Sequence, residues 1–116
     1  MATFEEVGRD NWEEFLASDQ AVLMLGKTDC AACKAFAKEL EAFVEETDDW
    51  DGVRIGKMYL DKPGLLGFKK ASPWLADVRD LPYTVIYSDG EVEKSFLGGG
   101  IERLLRRMER VFGDAR

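Results

Sequence analysis

The alternation of apolar and polar positions divides the chain into short segments of two kinds. Ala21-Val22-Leu23-Met24-Leu25-Gly26 is a continuous apolar run, the pattern of a central strand buried on both faces. Tyr83-Thr84-Val85-Ile86-Tyr87 has high strand propensity. Ser88-Asp89-Gly90-Glu91 after it predicts a tight hairpin turn, because an Asp-Gly pair tolerates the positive φ such turns need. Val92–Leu97 is then the return strand. Val53–Leu60, with Val53, Ile55, Met58 and Leu60 apolar, reads as another strand, and Thr3–Val7 as a short edge strand. Helical spacing is found elsewhere. Asp10 and Glu13 have the separation of a capping box, and Trp12, Phe15 and Leu16 form one side of a helix ending near Ser18. Phe36, Leu40, Phe43 and Val44 predict a long helix from about Ala31 to Thr47, with Lys34, Lys38, Glu41 and Glu45 outward.

The second half is less regular. Asp61-Lys62-Pro63-Gly64 breaks the chain, and Leu65–Ala71 reads as no more than a helical turn. Ser72-Pro73 suits an N-cap followed by proline at the first position of a short helix, with Trp74, Leu75 and Val78 apolar. Gly98-Gly99-Gly100 permits close backbone approach or a sharp turn. Ile101, Leu104, Leu105, Met108, Val111 and Phe112 mark a last helix whose outer face carries Arg103, Arg106, Arg107 and Arg110. The order is β-α-β-α-β-α-β-β-α: an α/β chain with a mixed central sheet, parallel among the first three strands, antiparallel in the hairpin, and helices on both faces. Its 116 residues are expected to form a single domain, 1–116.

Composition narrows the function. With 23 acidic and 16 basic residues, the net charge of −7 argues against nucleic acid or an anionic membrane as partner. No apolar run reaches transmembrane length, and Met1-Ala2-Thr3-Phe4-Glu5-Glu6 lacks the basic and apolar stretches of a signal peptide, so a cytoplasmic setting is expected. Histidine is absent, which excludes a Cys–His nucleophile, a serine triad and a His-ligated zinc within one chain. The candidate chemistry lies in Thr28-Asp29-Cys30-Ala31-Ala32-Cys33-Lys34, which holds the only two cysteines. Cys30 falls at the start of the long helix, where free N–H groups and the helix dipole favour a thiolate, while the Asp29 carboxylate opposes it. Cys33, one turn on, is close enough to form a disulfide with Cys30. Redox exchange, a pair of small buried apolar residues, and a metal shared between two subunits are the readings open to such a pair.

Element order and Cys30-Ala31-Ala32-Cys33 together resemble the thioredoxin family over nearly the whole chain. The resemblance also rests on Lys57-Met58-Tyr59-Leu60-Asp61, similar to the family's third strand, on Leu81-Pro82 at the family's distance from Asp89-Gly90, and on Gly98 before the last helix. It implies a thioredoxin fold, with a cis peptide bond before Pro82 and the proline loop lying against the cysteines. It implies a thiol–disulfide oxidoreductase reducing protein disulfides, with Cys30 attacking and Cys33 resolving. Asp29, Ala31, Ala32, Leu81, Pro82 and Gly98 would meet the substrate, and Lys57 would tune the thiols. Protein disulfides and an electron-donating reductase would be the partners of a monomer needing no cofactor or metal. Asp29 stands where the family has tryptophan, Ala31-Ala32 where it has Gly-Pro, and Met24 where it has a buried aspartate. Asp61 to Pro82 is several residues longer, so an added Leu65–Ser72 turn is expected to reshape one border of the site. The missing carboxylate and tryptophan lend some weight to an alternative, a redox-inactive peptide-binding module on the same fold. The triple glycine hints at a third, glutathione-using chemistry, against which the Asp89-Gly90 turn argues.

Overall fold

The computed structural model describes residues 1–113; the last three positions of the expected domain lie outside them. Five strands form one sheet in the order β1-β3-β2-β4-β5. They are β1 (Thr3–Glu6), β2 (Gln20–Gly26), β3 (Arg54–Tyr59), β4 (Tyr83–Ser88) and β5 (Glu91–Leu97). β3 pairs in parallel with β1 and β2, β2 pairs antiparallel with β4, and β4 antiparallel with β5. The hairpin turn is as expected, with Asp89 and Gly90 at φ of 50° and 83°. The helices are α1 (Trp12–Leu16), α2 (Ala31–Glu46), α3 (Leu66–Ala71) and α4 (Ile101–Phe112), with a 3₁₀ helix at Pro73–Asp77 between α3 and β4.

β2 is the hub. Val22 and Met24 face one apolar layer with Phe36, Leu40, Ile55, Ile86 and Leu104, under α2 and α4. Ala21, Leu23 and Leu25 face the other with Phe15, Met58, Phe68 and Val85, under α1, α3 and the 3₁₀ helix. Each large side chain fully withdrawn from water contributes roughly 1.5–3 kcal/mol before chain entropy is set against it, so both layers count. The stripe on α2 follows from spacing: Cys33, Phe36, Ala37 and Leu40 are its buried residues.

Several local expectations are corrected. Asp10 and Glu13 form no capping box. Asn11 is the N-cap of α1, its Oδ1 accepting the Gly8 N–H at 2.7 Å, and the helix stops at Leu16. Leu65–Ala71 is more than a turn: α3 forms there because Leu65 and Phe68 reach the core and Phe68 meets the edges of Trp12 and Trp74. Pro73 does open a helical segment, yet the Ser72 side chain caps nothing there. Arg103 and Arg107 do not belong to the outer face of α4: their guanidinium groups lie 4.9 and 4.7 Å from the Phe96 ring centroid.

Candidate functional site

β2 ends at Gly26, and the chain passes through Lys27-Thr28-Asp29 into α2. Cys30 occupies the N-cap in an extended conformation, φ −103° and ψ 109°. Its Sγ accepts the Cys33 backbone N–H at 3.2 Å, filling the role an N-cap oxygen usually takes. Cys30 and Cys33 are joined in a disulfide with a Cα–Cα distance of 5.3 Å. The two sulfurs differ in access: Cys33 is fully buried in the α2 layer, whereas Cys30 is half-buried. Gly26 makes the fit possible, since a Cβ there would lie 2.8 Å from Cys33 Cβ and 3.0 Å from its Sγ. Asp61 steadies the loop by accepting the Thr28 N–H at 3.1 Å and the Thr28 hydroxyl; these bonds, the hydroxyl's above all, hold its carboxyl below the ordinary aspartate range.

The proline loop meets this junction. The Leu81–Pro82 peptide bond is cis, and the Leu81 carbonyl oxygen lies 4.0 Å from Cys30 Sγ. Gly98 joins the same neighbourhood through its N–H, which donates to the Pro82 carbonyl at 2.7 Å. Asp29, Ala31 and Ala32 are exposed around the pair. Met24 is fully buried in the layer that holds Cys33. Lys57 sits elsewhere on the α2 side of β3. Its ammonium stands 5.4 Å from the Tyr59 ring centroid, and it is absent from the walls of the cleft at Cys30. Among the described residues no cluster of His, Cys, Asp and Glu suits a metal ion, and no helix is long and apolar enough to cross a membrane.

Nothing in the apolar pattern of the chain marks that cleft. It has a volume of about 610 Å³, and its lining joins Cys30 and Leu81 to Lys69 of α3 and to Leu75, Ala76, Val78, Arg79 and Asp80 in and after the 3₁₀ helix. The lengthened segment does border the site, as expected, but its charged groups become neighbours only through folding. The one signal of it in the sequence is the extra length.

No protein-family model matches the sequence, and no curated protein matches it. Solved structures do. Spinach chloroplast thioredoxin f superposes with a TM-score of 0.72 at 22% identity, covering 94% of this chain and 93% of that one. Thioredoxin f2 of Chlamydomonas reinhardtii gives 0.74 at 18% identity, covering 96% and 98%. Thioredoxin f2 in a complex with ferredoxin:thioredoxin reductase gives 0.73 at 22%, covering 94% of both chains. The chain is therefore a thioredoxin-fold α/β protein whose Cys30–Cys33 pair fits the disulfide-capable Cys-x-x-Cys pattern.

Proposed function

We propose that this protein is a thiol–disulfide oxidoreductase that reduces protein disulfides through Cys30 and Cys33. The observation that carries the reading is the asymmetry of the pair: one sulfur opens on a cleft at a helix N-terminus and the other is sealed behind it. In the reduced protein the Cys33 N–H and the α2 N-terminus favour negative charge on Cys30 Sγ. That thiolate attacks one sulfur of a substrate disulfide. A Cys30–substrate S–S bond forms, the substrate's own S–S bond breaks, and the second substrate sulfur leaves as a thiolate. Cys33 then gives its proton to that thiolate or to water and attacks Cys30 Sγ. The intramolecular disulfide forms, the mixed disulfide breaks, and the remaining substrate thiolate departs. Two electrons have passed to the substrate, and a dithiol reductase returns them. The reductase named in the thioredoxin f2 complex supports a partner of that class. Because Met24 occupies the place of a carboxylate, the Cys33 proton has no protein acceptor at that position.

Leu81, Pro82 and Gly98, with Asp29, Ala31 and Ala32, are the proposed substrate contacts, within a single domain acting as a monomer in the cytoplasm. The Leu81 backbone beside Cys30 suits pairing with an extended segment. Lys57, whose ammonium stands over the Tyr59 ring, is the proposed tuner of the thiols by its positive charge. Cys30→Ser should abolish reduction of a protein disulfide, while Cys33→Ser should accumulate the mixed disulfide, visible by mass spectrometry. Unchanged turnover in Cys30→Ser would refute the assignment. A Cys30 unreactive toward a thiol reagent across pH would instead favour the second reading, a redox-inactive binding module, toward which the buried Met24 leans.

A further inference from the structure

The cleft at Cys30 has a charge character opposite to that of the chain. Acidic residues outnumber basic ones by 23 to 16 overall. Among the residues lining the cleft are three cations, Lys27, Lys69 and Arg79, and one carboxylate, Asp80. The cations arrive from three separate places: the loop before Cys30, helix α3, and the turn after the 3₁₀ helix. Lys69 is held at the rim, its Nζ donating to the Leu60 carbonyl at 3.0 Å. The lining also includes four half-buried apolar residues, Leu60, Leu75, Val78 and Leu81. The segment between Asp61 and Pro82 thus supplies most of the lining.

We infer that this cleft selects protein substrates whose reactive cysteine is flanked by acidic side chains and one apolar side chain in an extended segment. The inference rests on the oxidoreductase reading and adds the substrate class; the exchange step is the one written above. A polypeptide fits better than a small acid. Its lining combines apolar with charged side chains, and the Leu81 carbonyl, 4.0 Å from Cys30 Sγ, offers an extended chain a backbone partner. An excess of one sign of charge around a cleft raises the encounter rate of the opposite sign, an effect that salt weakens.

The test uses three synthetic peptides carrying the same disulfide and apolar residue, flanked by aspartates, serines or lysines. Rate constants for their reaction with the reduced full-length protein are measured at low and high salt. A neutral small aromatic disulfide and glutathione disulfide serve as references. The aspartate peptide should react about tenfold faster than the lysine peptide at low salt, and the gap should shrink at high salt. Lys27→Glu with Arg79→Glu should reverse the order, and Arg79→Lys should preserve it. Equal rates for the three peptides, or an order unmoved by charge reversal, overturn the inference. So does glutathione disulfide reacting as fast as the aspartate peptide, since the cleft would then read a small acid. Failure to reduce even the neutral disulfide would instead condemn the oxidoreductase reading itself.

Discussion

Gly26 shows how one absent side chain sets the site. It is the last residue of β2, and any Cβ there would press on the Cβ and Sγ of Cys33. Neither partner can yield cheaply, since Cys33 is sealed in the core and tied to Cys30. Gly26→Ala should therefore destabilise the oxidised protein by about 1–3 kcal/mol, the usual range for an overpacked core. Urea denaturation checks this, and an unchanged midpoint would mean that α2 shifts freely against β2. Trp50 makes a related point from the opposite direction. It is buried at 6% exposure although its φ of 64° lies in the left-handed region, so burial of the indole outweighs backbone preference in that acidic loop.

The elements are held in place by contacts that cross long stretches of chain. Arg54 of β3 donates to Glu5 of β1 at 2.9 Å, to Glu14 of α1 and to Ser18 at 3.1 Å, with its guanidinium 5.1 Å from the Phe15 ring centroid. Asp61, just past β3, does the same for the loop before α2 through Thr28. Its folded-state pKa is lowered, so its stabilising effect is complete above the unfolded aspartate value of about 3.9 and is lost as pH falls through the lower folded value. A nuclear magnetic resonance titration of the Thr28 amide should show its inflection below that ordinary value, and Asp61→Asn should remove the inflection. A midpoint at the ordinary value would break the proposed link between β3 and the cysteine loop.

For the molecule as a whole, stability comes from two apolar layers on either side of β2, and the disulfide is a local addition. The linked cysteines are separated by only 3 positions, so closing that loop restricts the unfolded chain little. Reduction should leave a cooperatively folded protein, less stable by no more than about 2 kcal/mol. Urea denaturation with and without reductant measures this. Loss of the cooperative transition on reduction would show that the crosslink carries the fold, which would be incompatible with a cycle through the dithiol. The same two-layer plan explains how α3 and the 3₁₀ helix are accommodated. They pack through Leu65, Phe68 and Trp74 on the layer away from α2 and so border the cleft without disturbing the cysteine junction.

Features governed by neighbours in sequence are legible in the residues alone. The apolar run of β2, the Asp89-Gly90 turn, the stripe of α2, the cysteine spacing and Leu81-Pro82 each express a short-range preference, and together they suggest the succession of elements and the α/β class. Where a weak local pattern meets a strong distant one, the pattern misleads. Leu65–Ala71 reads as a turn until Phe68 finds Trp12 and Trp74, and Arg103 and Arg107 read as solvent-facing until Phe96 arrives beneath them. The strand order, the Arg54 junction, the tight approach of Gly26 to Cys33, and the union of Lys27, Lys69 and Arg79 beside Cys30 all depend on long-range contacts. Folding has to bring those segments together, because periodicity reports which face a residue occupies and carries no record of what that face will meet.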